Sequence, residues 1–281
     1  MSTLYLVATP IGNLGDLSPR AREILSTVDF IAAEDTRVTQ KLLTACELPR
    51  KPMISYYEHN RRARGEVVLE RMLGGETCAL VTDAGTPAVS DPGEDLVALC
   101  AEHDIPVIPV PGCCAAVCAL AASGLPTGRW CFEGFLSVNK KARREHLDAL
   151  EGEKRTMIFY EAPHKLCATL RDLAAAFGEE RRLSLSRELT KLHEQTLRMT
   201  LGEAMRYFDE NAPRGEFVLI VEGAPDEPET EQSEEERLAA AAEAVRRRIE
   251  LGQTQKDAVK AVSAEVGVKK NALYRYVLEN E

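Results

Sequence analysis

The stretch Asp83-Ala84-Gly85-Thr86-Pro87-Ala88-Val89-Ser90-Asp91-Pro92-Gly93 constrains the fold of this chain more than any other. It follows the apolar run Cys78-Ala79-Leu80-Val81, which reads as a buried strand, and it precedes Glu94 to Glu102, which reads as a helix. In open α/β sheets a ligand lies beyond the carboxyl ends of the strands, where such a loop emerges. Gly85 and Gly93 let backbone approach a ligand closely, and Pro87 and Pro92 stiffen the loop. The plain alternative is an ordinary strand-to-helix connection. The length of the loop and its Asp83, Thr86, Ser90 and Asp91 side chains favour a ligand loop.

A second loop of this kind opens the chain. The strand-like Leu4-Tyr5-Leu6-Val7-Ala8 runs into Thr9-Pro10-Ile11-Gly12-Asn13-Leu14-Gly15-Asp16, and a helix starts at Ser18-Pro19 with Ser as cap and Pro in the first turn. Gly12 and Gly15 also fit simple turn geometry. The sequence holds neither a full G-x-G-x-x-G nor a G-x-x-x-x-G-K-[ST], which argues against a nicotinamide site and a P-loop.

Strand and helix signals alternate through the first half. Strands are expected near 4–8, 30–33, 53–55, 78–82 and 106–109, with helices near 19–26, 37–45, 61–73, 94–101 and 115–122. That rhythm predicts βαβ units and a mostly parallel sheet covered on both faces. The second half has strand-like runs at 130–135, 156–160, 183–187, 196–200 and 217–221 with less helix between them, which predicts a mixed sheet with antiparallel pairing. The expected partition is an α/β domain over 1–124, a second α+β domain over 125–224, an acidic linker over 225–236 and a C-terminal helical region over 237–281. The linker holds seven acids and no Lys or Arg. The last region resembles a helix-turn-helix around Gly267 and has nine Lys/Arg against six acids. It reads equally as a packing cap and as an RNA-touching module.

A net charge of −10 argues against wholesale nucleic-acid binding. Three basic clusters point the other way, at Arg61-Arg62-x-Arg64, Lys140-Lys141-x-Arg143-Arg144 and Arg246-Arg247-Arg248. The eight cysteines include no C-x-x-C and no zinc-like spacing with His, so no metal is expected. They read as reduced, buried small hydrophobes of a cytoplasmic protein. No apolar run is long enough to span a membrane, and the N-terminal residues do not resemble a signal peptide.

Six ordered blocks resemble one family. They are Ala8-Thr9-Pro10-Ile11-Gly12-Asn13-Leu14-x-Asp16, Ala33-Glu34-Asp35-Thr36-Arg37, Asp83 to Gly93, Glu161-Ala162-Pro163-His164-Lys165, Arg187-Glu188-Leu189-Thr190-Lys191 and Gly215-Glu216-Phe217. Together they are similar to the ribosomal RNA small subunit methyltransferase I family, part of the class III S-adenosyl-L-methionine-dependent tetrapyrrole methylases. The resemblance implies two α/β domains with the cofactor in the cleft between them, and a homodimer. It implies 2′-O-methylation of a cytidine ribose in the decoding region of 16S ribosomal RNA within the small ribosomal subunit. The chain departs from the family at Cys113-Cys114, where Pro-Ser is usual, at Lys165, where Arg is common, and at Ser137, where Pro is usual. Cys114 weakens any side-chain hydrogen bond made there, and Lys165 lacks the fork of an arginine.

By the same resemblance, Ala84, Gly85, Thr86, Val89, Cys114, Ala115 and Glu161 hold the cofactor; Pro10, Gly12 and Asn13 are expected at the substrate side of the cleft or its floor. Methyl transfer is an in-line displacement that needs positioning and help with the acceptor proton. Lys191 with a lowered pKa, or Glu34, is expected to take that proton, and Arg37 to clamp a phosphate. Glu34-Asp35 also reads as an ordinary capped helix start. RNA contact is expected from Arg37, Lys41, Arg61, Arg62, Arg64, Lys140 and Lys141. The rival readings are a methylase of a tetrapyrrole or of a protein residue, and a non-enzymatic nucleotide-binding module.

Overall fold

Short apolar runs separated by capped helices build two five-stranded sheets. A computed structural model describes residues 2–225 and 234–280, without the side chains of 234–237 and 279. Most of the acidic stretch expected to link the two regions therefore lies outside the described residues. The described chain forms two compact units, 1–224 and 225–281.

The first sheet joins β1 (Leu4–Val7), β2 (Phe30–Ala33), β3 (Met53–Ser55), β4 (Cys78–Val81) and β5 (Val107–Val110) in the order β3-β2-β4-β1-β5, all parallel. β2 and β4 are buried along their whole length, as strands covered on both faces must be. One face carries Val7, Ile31, Ala33, Ala79 and Val81 against Ala21 and Leu25 of α1 (Pro19–Thr27) and Leu43 of α2 (Thr36–Ala45). The other carries Leu4, Phe30, Ala32 and Leu80 against Val68 and Met72 of α3 (Arg61–Leu73) and Leu96 of α4 (Glu94–Glu102). The expected caps form: Ser18 accepts from the Ala21 N–H and Asp35 from the Arg37 N–H.

The second sheet runs β6-β7-β10-β8-β9, from β6 (Trp130–Phe135), β7 (Thr156–Glu161), β8 (Arg182–Arg187), β9 (Gln195–Thr200) and β10 (Phe217–Val221). β6 and β7 are parallel and the remaining pairs antiparallel, the mixed pattern the sequence predicts. One face packs on α6 (Lys140–Ala149), α7 (Leu166–Phe177) and α8 (Leu201–Glu210) through Met157, Phe159, Leu185 and Leu219. The other face, with Ile158, Val218 and Ile220, is covered by Ala116, Ala119 and Leu120 of α5 (Ala115–Ser123). α5 follows the last strand of the first sheet in sequence but packs on the second. Its residues are apolar on every side, so periodicity could not reveal which face it buries.

Cysteine usage needs a correction. Cys46, Cys78 and Cys100 are buried, but Cys118 is exposed and Cys113, Cys114, Cys131 and Cys167 are half-buried. Cys118 stands on the outer side of α5, beside the exposed Val117.

The C-terminal unit is three helices, α9 (Glu234–Glu250), α10 (Gln255–Val266) and α11 (Lys270–Glu279), around Ala241, Val245, Ala258, Val259, Val262, Leu273 and Val277. Gly267, in the left-handed region at φ +72°, closes α10.

Candidate active site

The carboxyl ends of the first sheet's strands and, from the second sheet, the ends of β6, β7 and β8, the loop after β8 and the start of β10 enclose a cavity of about 340 Å³. That is within the roughly 300–1,000 Å³ of small-molecule sites. Its walls include Glu34 after β2, Thr82 to Thr86 and Val89 to Asp91 after β4, and Cys114 and Ala115 at the start of α5. From the second sheet come Phe135, Tyr160 to Ala162, Ser186, Glu188, Leu189, Lys191 and Glu216 to Val218.

The loops are tied to each other before any ligand arrives. Thr9 and Gly85 exchange backbone hydrogen bonds of 2.9 and 3.0 Å, and the Thr9 hydroxyl donates to the Thr82 carbonyl. The Thr86 hydroxyl donates to the Cys113 carbonyl at 2.9 Å, joining the β4 loop to the start of α5. Tyr160 accepts from the Ala116 N–H at 3.1 Å and so receives a backbone donor of α5's first turn. Cys114 caps α5 without any side-chain hydrogen bond, the consequence expected of a thiol in a hydroxyl's place.

Four non-glycine residues in the loops that form these walls have left-handed backbone: Ala88 at φ +64°, Ser90 at +61°, Glu188 at +51° and Thr190 at +66°, of which Ser90 and Glu188 line the cavity. Such conformations are unfavourable for L-residues and gather at functional sites. Here they lie in the β4 loop and the β8–β9 loop, on opposite walls.

Three carboxylates crowd one wall. Glu34 accepts from the Thr82 hydroxyl at 2.6 Å and from the Asp83 N–H at 3.2 Å. Burial and the neighbouring charge of Glu34 push the Asp83 carboxyl up. The same two causes push Asp91 up to about 6. Partial burial among like charges is a recurring mark of functional carboxylates.

Across the cavity, Lys191 Nζ donates to Glu188 Oε1 at 3.0 Å and to Glu216 Oε2 at 3.1 Å. Burial alone lowers its pKa, but the two carboxylates outweigh burial and hold it above the ordinary lysine value. The expectation of a lowered pKa is therefore not met: the shift at Lys191 is upward. The second carboxylate comes from 25 residues downstream in sequence, brought in by β10, which the local sequence does not reveal. Gly12 lies against this lysine with no room for a Cβ.

Glu161 is buried at 3% exposure. Its carboxylate accepts from the Ala162 N–H at 2.8 Å and from the Thr169 hydroxyl. Thr169 accepts in turn from Arg143, whose Nε is paired with Asp172.

All seven residues expected at the cofactor, Ala84, Gly85, Thr86, Val89, Cys114, Ala115 and Glu161, line this one cavity, together with Glu34 and Lys191. Arg37 does not. Its exposed guanidinium forks onto Asp35, Nη2 to Oδ2 at 2.6 Å. Arg37 and Lys41 lie in α2, Arg61, Arg62 and Arg64 in the first turn of α3, and Lys140 and Lys141 at the start of α6. These helices leave the carboxyl ends of β2, β3 and β6, so their basic residues sit at the edges that carry the cavity without entering it. Arg61 also pairs with Glu58 at 3.2 Å. Tyr160, Ser186 and Val218 were not singled out by sequence reasoning. Tyr160 sits next to Glu161 at a strand end, and that position was the available signal.

The tetrapyrrole (corrin/porphyrin) methylase family model matches residues 3–205. A protein of Synechocystis sp. named "Ribosomal RNA small subunit methyltransferase I" is 50% identical over 281 residues, covering 100% of this chain and 99% of its own. The chain belongs to the ribosomal RNA small subunit methyltransferase I family. A member of the same name from Escherichia coli O157:H7 is 46% identical over 99% of this chain and 95% of its own. The fold matches that of the methyltransferase CobJ, with a TM-score of 0.58, 21% identity and coverage of 80% of this chain and 95% of that one. It also matches uroporphyrin-III C-methyltransferase from Thermus thermophilus in complex with S-adenyl homocysteine, with a TM-score of 0.54, 18% identity and coverage of 79% and 97%. As a member of the ribosomal RNA small subunit methyltransferase I family, this chain is an S-adenosyl-L-methionine-dependent methyltransferase, and its fold is that of the wider tetrapyrrole methylases. Among the described residues no group of three or more His, Cys, Asp or Glu could hold a metal, and no helix is long and apolar enough to cross a membrane.

Proposed function

We propose that this enzyme methylates the 2′-hydroxyl of a cytidine ribose in the decoding region of small-subunit (16S) ribosomal RNA, with S-adenosyl-L-methionine as donor. The observation that carries the reading is the cavity lined by the β4 loop, the start of α5 and the β8–β9 loop in a chain of this family. The donor supplies a methyl group already activated on a sulfonium.

The cavity suits that donor in chemistry as well as size. Ala84, Gly85, Cys114 and Ala115 offer backbone N–H and C=O groups for an adenine and an amino-acid end. Glu34, Asp83 and Asp91 give a wall that favours a cation. The buried Thr190 Oγ1, in the loop that carries Lys191, and Arg187 Nε, at the end of β8 beside it, have no hydrogen-bond partner, which fits a region completed by a ligand.

Glu34 is the group assigned to the acceptor proton. Lys191 acts as a fixed positive charge that steadies developing negative charge on the acceptor oxygen, a role its two carboxylate partners keep it protonated for. Arg37 holds a phosphate by exchanging Asp35 for it. Lys41, Arg61, Arg62, Arg64, Lys140 and Lys141 form a basic rim that meets phosphates with affinity but no sequence choice. The 2′-hydroxyl selects RNA over DNA. The proposed partition remains 1–124, 125–224, 225–236 and 237–281. The proposed state is a cytoplasmic homodimer, for which the exposed Val117 and Cys118 side of α5 offers an apolar face.

The direct test is mass spectrometry of 16S ribosomal RNA from cells with and without this chain, followed by methylation of the deficient subunits by the purified protein. A ribose methyl group that appears only with the chain is expected. Identical ribose methylation in both RNAs would sink the assignment.

A further inference from the structure

In the C-terminal unit some arginines are paired with acids, while several other basic side chains have no acidic partner among the described residues. Arg248 Nη2 donates to both oxygens of Glu265 at 2.7 and 3.0 Å, clamping α9 to α10. Arg247 takes Glu243, and Thr254 donates to Asp257 at the start of α10. Lys256, Lys260, Lys269, Lys270 and Arg275, by contrast, are exposed and have no carboxylate partner among the described residues. The sequence contains no Asp or Glu between Glu265 and Glu279.

This asymmetry is organised on α11. Leu273 and Val277 are buried in the core of the unit. Lys270, Asn271, Tyr274, Arg275 and Leu278 are exposed, and their spacing of three and four residues puts them on one outward face. The face thus combines cations, an amide and a 39% exposed aromatic ring, with no acid. Lys269 stands at the N-cap of α11 and supplies no side-chain cap, so the backbone donors of the first turn are flanked by Lys269 and Lys270. In a protein of net charge −10, a helix face of this make-up fits a polyanion with unstacked rings better than another acidic protein surface.

We propose that the α10–Gly267–α11 unit is an RNA-docking module in which Lys269, Lys270 and Arg275 contact phosphates and Tyr274 stacks on an unpaired base. The inference rests on the reading of the substrate as small-subunit ribosomal RNA. The module contributes affinity for the substrate and takes no part in methyl transfer.

The test uses the full chain carrying K269A/K270A/R275A, the corresponding K269R/K270R variant, and Y274A. Equilibrium binding to small-subunit ribosomal RNA from cells lacking the chain is measured across a salt series, with calorimetry of S-adenosylmethionine alongside. The triple variant is expected to bind RNA at least about tenfold more weakly, with a log K against log salt slope shallower by about 2, near 0.7 per lost phosphate contact. The K269R/K270R variant is expected to keep wild-type binding. Y274A is expected to lose affinity with little change of slope, as loss of stacking requires. Cofactor affinity is expected to stay within twofold throughout. Wild-type affinity and slope in the triple variant overturn the proposal. So does weaker binding with an unchanged slope in the triple variant, which marks lost structure, or a change confined to self-association. If the wild-type chain neither binds nor methylates the RNA, the underlying substrate reading fails first, and that outcome is distinct from the others.

Discussion

Gly12 and Lys191 meet across the cavity: any side chain at Gly12 would overlap the Lys191 stem at Cγ. The first loop of one sheet thereby fixes the path of a lysine carried by the other. Beyond that contact the Lys191 ammonium reaches Glu188 and Glu216. Replacing Gly12 by Ala is expected to displace Lys191 and lower the methylation rate about tenfold or more, because small errors in position cost heavily in catalysis. Initial rates with saturating cofactor check this, and an unchanged rate would show that the contact does not aim the lysine.

The charge state of Lys191 has its own signature. Its partners hold the pKa above the ordinary value, so the ammonium stays protonated through the neutral and mildly alkaline range. The rate profile is expected to show no lysine limb between about pH 7 and 9. Lys191→Met is expected to reduce kcat on the order of 10²-fold, the usual loss for one group that stabilises developing charge. A base-form limb in that range would return Lys191 to the role of proton acceptor.

Asp91 predicts a pH-dependent stability. The folded protein holds the Asp91 proton up to about pH 6, against an ordinary aspartate value of 3.8. Between those values the folded state binds more protons than the unfolded one, so stability falls as pH rises through that window and stays lower above it. Asp91→Asn removes the charge. It is expected to stabilise the protein at pH 8 by about 1 kcal/mol, a figure reduced for partial solvent screening, and to lose that advantage toward pH 4. Denaturant melts at the two pH values measure the difference; a gain of equal size at both would refute the cause.

The buried Glu161 depends on a partner from α7. Thr169→Val keeps the shape of the side chain but takes away the hydroxyl that donates to the carboxylate. It also strips Arg143 of one acceptor. Leaving a buried charged acceptor short of a donor costs about 1–3 kcal/mol. A drop of that size in unfolding free energy is expected, with Thr169→Ser close to wild type.

Tyr160→Phe tests the joint between α5 and the second sheet. The Ala116 N–H loses its acceptor at the amino end of α5, at a cost of about 1–3 kcal/mol. The same change loosens the cavity wall, and a several-fold weaker cofactor affinity is expected by calorimetry.

The elements of the fold were legible because each announces itself locally. The strands at Phe30–Ala33, Met53–Ser55, Trp130–Phe135 and Phe217–Val221 end where the apolar runs end. Ser18 and Asp35 mark helix starts by their side-chain chemistry. Part of the cavity lining was legible too, in Glu34, the β4 loop and the start of α5, since loops at carboxyl strand ends converge in such sheets; Tyr160, Ser186 and Val218 were not. The upward pKa shift of Lys191 was not, because one of its two carboxylate partners, Glu216, comes from the start of β10, 25 residues away in sequence. The placement of α5 was not, because a helix apolar on all sides carries no directional signal. The isolation of Arg37 from the cavity was hidden by its fork to Asp35, two residues away, which turns the guanidinium along the helix start.

The position of α5 bears on how the two sheets could ever move. Were the chain severed after Gly124, one fragment would keep an oily rod with nothing to cover, and the other would show Ile158, Val218 and Ile220 bare to water. Neither piece is a self-sufficient block, so evolution could not have swapped either half alone without rebuilding that seam. The helix thus ties one sheet to the other through a single apolar seam.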